Sequence, residues 1–584
     1  MPETDRSDRP ASRLYALLAK TVRPGVRRGL IALSLLLVSP SVFSGYAADD
    51  WVLIYELRKP PNSEWAATPP FDLYRLFDPP HTRRLIDGNG LPWWTYADAE
   101  CMFLRPLSGF THMLDHWLAR DQPIWAHLHC LFWFALFLLA AAQLYRRTLE
   151  PPWVAGVASA MFALDTAHGG FVGWVVNRSA VVGAAFALWS LVFHRRHRVG
   201  EGLRYGFAAW LLCGCALMSA ELSLGMLGYL VAYALFMERG PLWRRALTLA
   251  PFAPVFLAWA VARKLGGYGT SGLYAYVDPA AEPLSFLASL PARIALLLAG
   301  QGMRLVSDIY EMLPLDIQPL YLLAAISCCA LMFWFAWPSL REQRALCFFG
   351  TGALLSAVPM GSTQPSDRLL TLIGVGVLPV LAGAIHAGFH STGLRQRLAG
   401  MFSVLHLVIA PLFLPIASLG AAAMTSVILG AESSLGDDPR LREQSVIALV
   451  VPDSTFMSYI QVIRTVKDKP RPRHLYWLAS TEAEVKIERR AAHVLRLTPA
   501  RGFFDRRSEA RTPLHPFQRG DRVELTELTI EIVELTQDGR PAVCDFVFKS
   551  PLDAAKYDLR SWHDGRLESV PLMPIGATVT FSAR

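Results

Sequence analysis

Two adjacent carboxylates, Asp49 and Asp50, follow an apolar run that extends from Leu30 to Phe43. They stand where a hydrophobic segment would leave a membrane, a depth at which ionised groups are costly unless they have a use. A carboxylate there could take a proton from an acceptor hydroxyl, and such general-base catalysis contributes about 10²–10⁴-fold in rate. Paired carboxylates are also ligands for Mg²⁺ or Mn²⁺. The pair therefore predicts a general base or a metal-binding pair.

Further polar side chains fall on the same predicted face of the membrane, and different segments deliver them. Arginine can bind two oxygens of a phosphate at once, and imidazoles can assist it. Each residue alone has a plainer explanation, such as a snorkelling arginine or a helix-capping glutamate. Their convergence predicts a site for a phosphate-linked substrate. The candidate binding residues are Arg105, His127, His168, Arg178, Glu221 and Arg368.

The rest of the chain is apolar enough to hold such a site in a bilayer. Of its 584 residues 53% are hydrophobic and only 18% are charged, which indicates many membrane spans. The net charge of +8 comes from short clusters between apolar runs, so it predicts topology and no nucleic-acid partner. We predict about 11 crossings, near residues 30–43, 124–144, 153–164, 171–193, 205–218, 222–236, 246–262, 319–337, 345–359, 369–387 and 404–429. We read 283–305, with its two arginines, as a tilted or partly inserted helix.

The basic clusters set the predicted orientation. They fall in alternate loops, which the positive-inside rule assigns to the cytoplasm. The N-terminus is then cytoplasmic, and an odd number of crossings places the C-terminal tail outside a cell (cytoplasmic or inner) membrane. A signal peptide cleaved near Ala47 is the alternative for the first run. The clusters are Arg146-Arg147, His194–Arg198, Arg239 with Arg244-Arg245, Arg341 with Arg344, and Arg395 with Arg397.

These patterns predict three regions: a basic N-terminus (1–29), a membrane domain (30–429) with a large outer loop (51–123), and an extracytoplasmic domain (430–584). In the outer loop and just after it, Trp93, Trp94, Trp117 and Trp125 are typical of helices at a membrane interface. The tail alternates as strands do. The fold class predicted is a polytopic α-helical membrane protein with a small C-terminal, mainly-β extracytoplasmic domain. Its predicted elements are strands 445–451, 475–478, 485–488, 494–497, 523–525, 529–533 and 542–548 and a helix 457–466.

Several short motifs, in this order, resemble the membrane-embedded GT-C glycosyltransferases, especially bacterial relatives of the protein O-mannosyltransferases and of the transmembrane O-mannosyltransferases. In those families an Asp-Asp pair follows the first span, an Arg-Pro-Leu element precedes the second, and an acid-Arg-Leu element comes late. The matching segments are Asp49–Ile54, Phe103–Leu107, Pro123 with His127, Phe162–Thr166 with His168 and Arg178, and Ser366–Leu370.

The resemblance implies a GT-C fold and an inverting hexosyltransferase that uses a polyprenyl-phosphate sugar donor and an extracytoplasmic acceptor. It implies that Asp49 or Asp50 is the base, and that Arg178 and Arg368 bind the donor phosphate or the acceptor. The chain departs from the family pattern where an acid before Arg178 is replaced by Gly169-Gly170-Phe171, and the tyrosine expected after Arg368 is absent. The sugar is therefore open, and an inactive homologue is an alternative.

Two other classes of function stay open. A membrane scaffold or assembly protein would use the extracytoplasmic domain to bind a partner and would tolerate changes at Asp49 and Asp50. A lipid transporter would be expected to gather polar residues near the bilayer midplane on broken helices. The sequence has no P-loop and no dinucleotide-binding glycine fingerprint, which argues against an ATP-driven pump.

Overall fold

The structure is a computed structural model that describes residues 10–58, 71–504 and 510–583. The start of the predicted N-terminal region (1–9) and part of the predicted outer loop (59–70) lie outside the described residues. The chain forms two compact units, each built from three segments. The helical unit comprises Met1–Tyr46, Phe103–Gly267 and Glu282–Ala422, and the strand-rich unit comprises Ala47–Met102, Tyr268–Ala281 and Ala423–Arg584.

The α-helices are numbered in chain order. They are α1 (Pro10–Ala19), α2 (Pro24–Val38), α3 (Asp49–Arg58), α4 (Pro79–Ile86), α5 (Pro106–Ala119), α6 (Pro123–Thr148), α7 (Pro152–Ala163), α8 (His168–Val172), α9 (Arg178–Arg198), α10 (Leu203–Leu217), α11 (Gly225–Phe236), α12 (Leu242–Leu247), α13 (Ala253–Leu265), α14 (Pro283–Met303), α15 (Gln318–Glu342), α16 (Arg344–Met360), α17 (Leu370–Phe389), α18 (Leu394–Val404), α19 (Ala410–Ser418), α20 (Gly420–Ser434), α21 (Ser454–Ser458) and α22 (Ile460–Val466).

The strands form three sheets. An antiparallel three-stranded sheet has the order β1-β2-β3, an antiparallel six-stranded sheet β13-β6-β7-β10-β9-β8, and a mixed four-stranded sheet β12-β11-β4-β5. The strands are β1 (Arg75–Phe77), β2 (Glu100–Met102), β3 (Gly269–Ser271), β4 (Ser445–Val451), β5 (His474–Ser480), β6 (Val485–Ala491), β7 (Val494–Pro499), β8 (Arg522–Glu524), β9 (Leu528–Leu535), β10 (Pro541–Phe548), β11 (Tyr557–His563), β12 (Arg566–Ser569) and β13 (Thr578–Phe581).

The helical unit is organised around α6 and α9, which pack together and run in the same direction. Near their starts, His129 of α6 lies 2.8 Å from the guanidinium of Arg178, the first residue of α9. Further along, the indole of Trp189 on α9 donates to the carbonyl of Leu136 on α6. Both helices end in arginines, which favour the negative end of the helix dipole. The two helices therefore have polar starts on one side and basic ends on the other.

The predicted fold class is confirmed. Within the described residues, seven helices are long and apolar enough to cross a membrane, and four shorter apolar helices accompany them. These eleven equal the predicted crossings in number, although the two sets differ. The long candidates are Pro24–Phe43, Pro123–Thr148, Val175–Arg198, Pro283–Met303, Gln318–Glu342, Asp367–Phe389 and Leu394–Ser434, and the shorter ones are Pro152–Ala163, Leu203–Leu217, Glu221–Phe236 and Arg344–Met360.

Two predicted spans differ from the structure. The span near 246–262 is divided between α12 and α13, and neither is among the eleven apolar helices. The stretch 283–305, predicted as a tilted or partly inserted helix, forms the continuous helix α14, which by length and composition could cross a membrane. Its arginine Arg293 donates to the carbonyl of Gly361 at 2.6 Å, and Arg304 lies just beyond the helix end. The two charges thus lie where protein groups can satisfy them, which hydropathy alone cannot reveal.

The strand-rich unit contains more of the chain than the predicted tail. Residues of β2 pair with β3, so parts of the predicted outer loop and of segment 268–281 join it. Trp93 and Trp94 are buried in its core, where Trp93 packs edge-on against Phe503 and Phe546. The expectation that these two tryptophans lie at a membrane interface is therefore wrong. Trp117 and Trp125 are exposed, as that expectation requires.

Candidate active site

The acidic pair begins helix α3 and follows a tight turn. Gly45 and Ala48 both have positive φ, and the Ala48 amide donates to Thr425 Oγ1 at 3.2 Å. Asp50 is buried, and its Oδ2 accepts the Ala47 amide at 2.9 Å. The same contact, from an acid to the amide three residues before it, occurs in a capping box, and the charge of Asp50, the second residue of α3, favours the positive end of the helix dipole. Asp50 therefore has a structural role in starting α3.

The other carboxylate has a different neighbour. Asp49 is only partly buried, and its Oδ1 accepts the phenol hydroxyl of Tyr459 at 2.5 Å. On the same helix, the indole of Trp51 lies 5.3 Å from the Lys467 ammonium. Tyr459 and Lys467 both come from the region of α21 and α22. The two predicted catalytic acids thus share a helix turn but lie in different surroundings, both within the strand-rich unit.

In the helical unit, a buried network joins α5, α6 and α9. Arg178 of α9 is fully buried and forms an ion pair with Asp115 of α5. Its second terminal nitrogen donates to His112 Nδ1 at 2.6 Å, and His129 of α6 lies 2.8 Å from Asp115 Oδ1. We call Arg178, Asp115, His112 and His129 the Arg178 network. It fixes the starts of two apolar helices to a helix that precedes them.

The hydrogen bonds of the Arg178 network determine which ring nitrogens carry protons. His129 Nε2 accepts the indole N–H of Trp133 at 3.0 Å, so its proton is on Nδ1, where Asp115 can accept it. His112 Nδ1 accepts from Arg178 and is therefore unprotonated at that atom. Burial, together with the adjacent Arg178 charge and then His129, lowers the pKa of His112 well below its usual value. The His112 imidazole is therefore neutral at pH 7 in this arrangement.

A second arginine extends this network through Ser179. Arg105 Nε donates to Glu221 Oε2 at 2.7 Å, while the Leu104 amide donates to Glu221 Oε1 at 2.9 Å. Arg105 also lies 3.3 Å from Ser179 Oγ, next to Arg178 in the chain, and 4.3 Å from the Phe103 ring centre. The structure thus brings together three of the predicted binding residues, namely Arg105, Arg178 and Glu221.

A separate polar cluster forms around Asp165, in the turn after α7. Arg304 and Gln301, both from the end of α14, donate to its two oxygens at 2.5 Å. Burial alone would raise the pKa of Asp165, but the charges of Arg304 and His168 and the hydrogen bonds from Arg304 and the Ala167 amide outweigh it, so the pKa falls to about 2. His406, in a π-helical turn between α18 and α19, lies 3.0 Å from Arg304. This cluster ties three separate segments of the helical unit together.

The remaining predicted residues make separate contacts. His127 Nε2 donates to the Gly45 carbonyl at 2.9 Å. His168 Nε2 donates to the Phe162 carbonyl at 2.7 Å, and phenylalanine rings surround it. Arg368 is partly exposed and lies 5.8 Å from the Trp174 ring centre. No carboxylate lies within 4 Å of it in the part of the chain that the structure describes, which distinguishes it from Arg105, Arg178 and Arg304.

The sequence reasoning missed five of these participants. His112 and Asp115 lie one helical turn apart on α5, which falls in the predicted outer loop because it lacks a long apolar run. Pro106 at the start of α5 is the signal that could have identified the helix. Gln301, Arg304 and His406 carried no motif, and only the fold brings them to Asp165.

Among residues 10–58, 71–504 and 510–583, no group of three or more His, Cys, Asp or Glu side chains is arranged to hold a metal ion. Asp49 and Asp50 alone could hold Mg²⁺ only together with oxygens of a substrate, which is a common mode for this ion.

Comparisons with known proteins gave matches only among solved structures. No protein-family model and no curated protein matches the chain. ArnT from Cupriavidus metallidurans bound to undecaprenyl phosphate is 13% identical, with a TM-score of 0.35, over 77% of this chain and 89% of that one. The Archaeoglobus fulgidus oligosaccharyltransferase, tethered to an acceptor peptide with an NVT sequon, is 12% identical, with a TM-score of 0.37, over 77% and 64%.

Proposed function

We propose that this chain is a membrane glycosyltransferase that moves a sugar from a polyprenyl-phosphate donor to an extracytoplasmic acceptor hydroxyl. The observation that carries the proposal is the Arg178 network, extended by Arg105 and Glu221, at the starts of α6 and α9. Arginine clusters stand at the opposite ends of both helices, so the positive-inside rule supports an extracytoplasmic position for the network. A donor with a lipid tail and a phosphate would meet lipid and the partly exposed Arg105 there.

The free-energy cost of burying the Arg178 network indicates that the network has a function beyond packing the helices together. Removing a guanidinium and a carboxylate from water costs several kcal/mol per ion, and their attraction repays this only with good geometry. Apolar residues of similar size could join three helices more cheaply. Charged side chains that a protein keeps within or at the edge of a membrane therefore indicate a functional site.

The proposed reaction is a displacement at the anomeric carbon with inversion. As the acceptor oxygen bonds to that carbon, the carbon–oxygen bond to the phosphate breaks and polyprenyl phosphate leaves with the electron pair. A carboxylate of Asp49 or Asp50 takes the proton of the acceptor hydroxyl. Mg²⁺ or Mn²⁺, if bound by this pair with substrate oxygens, would supply positive charge for the phosphate.

The cations have different parts in this proposal. Arg368 is suited to the leaving phosphate, because it is partly exposed and has no carboxylate within 4 Å among the described residues. Arg105 is one-fifth exposed but is paired with Glu221. Arg178 is fully buried, so contact with a phosphate would require displacement of Asp115; we propose that it positions the helix starts. For His127 and His168, a contact with the donor stays a proposal.

The test is transfer of labelled sugar in a reconstituted system. Purified protein is added to membranes from a strain that lacks the gene, with radiolabelled polyprenyl-phosphate mannose or polyprenyl-phosphate glucose as donor. We expect transfer by the wild type, loss in Asp49→Asn and in the double variant with Asp50→Asn, and a strong decrease in Arg368→Gln. Asp98→Asn, which alters an exposed acid of the strand-rich unit, is the matched control. Undiminished transfer by the double variant would refute the proposal.

A non-catalytic scaffold is the second candidate, and the capping role of Asp50 is the observation that favours it. In that case the acidic pair serves only to start α3. The same variants separate the two functions, because a scaffold would keep its cellular role in Asp49→Asn and lose it when the strand-rich unit is disrupted.

A further inference from the structure

A tyrosine from the C-terminal part of the chain contacts the acidic pair. Tyr459 stands between α21 and α22, and its hydroxyl donates to Asp49 Oδ1 at 2.5 Å. The two residues are 410 positions apart in the chain, yet both belong to the strand-rich unit. A phenol that donates to a carboxylate makes a charge-assisted hydrogen bond, which is short and about twice as strong as a neutral one.

The turn that carries Asp49 is fixed by further bonds to the same part of the chain. The Ala48 amide donates to Thr425 Oγ1, and Arg58, at the end of α3, donates to the Val466 carbonyl at 2.6 Å. Helix α3 is therefore held at both ends by groups that come from beyond residue 422. Ala48 has a φ of 42°, which an alanine adopts at a cost, so the surroundings must hold the turn in this shape.

We infer that Asp49, and not Asp50, is the general base of the proposed reaction, and that Tyr459 is its positioning residue. This inference rests on the proposed function. Asp50 is unsuited because it is 1% exposed and already accepts the Ala47 amide as a helix cap. Asp49 is more exposed, and its bond to Tyr459 fixes the carboxylate without burying it.

The proposed step assigns each proton. The acceptor hydroxyl gives its proton to Asp49 while its oxygen bonds to the anomeric carbon and the bond to the phosphate breaks. Tyr459 keeps its own proton throughout, because it only donates a hydrogen bond to the ionised carboxylate. That bond fixes the side-chain rotamer of Asp49, so the base is oriented when the acceptor arrives.

Other charged groups near Asp49 also influence the pH dependence of the proposed transfer. Asp50, Glu56 and Arg58 share its helix, and Lys467 approaches from α22 over the Trp51 ring. None of them is altered when the Tyr459 hydroxyl is removed. A change in the pH dependence of Tyr459→Phe can therefore be assigned to the lost hydrogen bond.

The experiment compares pH profiles of kcat/KM for the wild type and Tyr459→Phe, with polyprenyl-phosphate mannose or glucose as donor, whichever the wild type uses. Loss of a hydrogen bond to the charged form should move the acid limb about one pH unit higher. We expect kcat to fall about tenfold while the donor KM stays unchanged, since the hydroxyl acts on the base and not on donor binding. If Tyr459 had only a structural role, Tyr459→Phe would change neither the position of the acid limb nor kcat relative to the donor KM.

The chain offers a matched control. Tyr476 also donates to a carboxylate of the strand-rich unit, Asp87 Oδ1, at 2.7 Å. Tyr476→Phe removes the same kind of bond and should leave the acid limb in place. A second variant keeps the test valid if Tyr459→Phe fails to fold. 3-Fluorotyrosine at position 459 has nearly the same shape as tyrosine and is a stronger hydrogen-bond donor, so it should move the acid limb to lower pH.

The outcomes separate the inference from the proposed function. An unshifted acid limb in Tyr459→Phe and in the fluorinated protein, with Asp49→Asn inactive, would overturn the role of Tyr459 and leave the enzyme proposal standing. A shift of equal size in Tyr476→Phe would also overturn it. Full transfer by Asp49→Asn would instead refute Asp49 as the base, whatever the tyrosine variants do.

Discussion

Each unit of the molecule contains a fully buried arginine, and the two have different partners. In the strand-rich unit, Arg464 donates to three backbone carbonyls and to the carboxylates of Glu432 and Asp437. In the helical unit, Arg178 bonds to one carboxylate and one imidazole, with a second imidazole beside it. The partners of Arg464 are mostly backbone carbonyls, whereas those of Arg178 are all side chains and include imidazoles.

The difference shows that burial of an arginine is not itself a sign of function. Arg464 links α20 and the loop after it to α22 and the loop after that, and backbone carbonyls cannot be exchanged for a substrate. Arg178 depends on side chains from two other helices, so a change in either helix can alter its position. Function is therefore expected to be more sensitive to small changes around Arg178 in the helical unit than around Arg464 in the strand-rich unit.

The largest effect is expected from Arg464→Met. Glu432 is 2% exposed, so the substitution leaves a buried carboxylate with only peripheral lysines, and breaking such a pair costs about 3–5 kcal/mol. Limited proteolysis of the purified protein, with hydrogen exchange on β4 and β5, would report loss of the strand-rich unit. If the strand-rich unit stayed folded in Arg464→Met, Arg464 would not be the stabilising arginine that the comparison with Arg178 requires.

A smaller loss of stability but a specific loss of activity is expected from Arg178→Lys. Lysine keeps the charge but cannot donate to Asp115 and His112 in the same planar geometry. The unsatisfied His112 acceptor should cost about 1–3 kcal/mol, and a shift of the helix starts should lower transfer about 100-fold. Transfer rates normalised to folded protein check this. Wild-type rates would show that Arg178, like Arg464, is only structural.

The two regions should also differ in their response to pH. The pKa of His112 is held well below 6.5, so below pH 6.5 the unfolded chain takes up a proton that the folded protein does not. Stability of the helical unit should then fall with decreasing pH, by at most about 1.4 kcal/mol per pH unit for this group. Asp165, with a pKa of about 2, stays ionised in both states above pH 5 and adds no slope. Proteolysis at pH 7.5 and 5.5 should show less difference in His112→Gln.

The smallest effect is expected from Lys467→Gln. Its ammonium lies 3.7 Å from Glu432 Oε2, and the side chain is about one-third exposed. Partly exposed pairs of this kind contribute about 0–1 kcal/mol. Hydrogen exchange on α22 should therefore change little. A loss as large as that of Arg464→Met would mean that the whole charged cluster, and not the arginine, stabilises the unit.

Local patterns predicted some elements well. Strand 445–451 matches β4 residue for residue, because a short continuous apolar run is typical of a strand covered on both faces. The helix predicted at 457–466 is present but divided at Tyr459, the residue that contacts Asp49. Strands β11 to β13 were missed, since β11 is rich in polar residues and is recognisable only by its pairing with β4.

The sequence could predict those residues of the candidate site that belong to a short motif. Arg105 and Arg178 came from motifs, and both lie in one network with Glu221. The partners that make this network, His112 and Asp115, were missed because their helix has no long apolar run. Tyr459 could not have been found, because a contact between residues 410 positions apart leaves no local pattern.

That separation also has a consequence for biosynthesis. Asp49 leaves the ribosome early, while Thr425, Tyr459 and Val466, which hold its helix, are made about 20–80 s later at 5–20 residues per second. During that interval α3 lacks the bonds at both its ends. A chain that stops before residue 425 would contain every motif that resembles a glycosyltransferase and still lack the bonds that hold the proposed base. The acidic pair can thus reach its final surroundings only after the tail has been made.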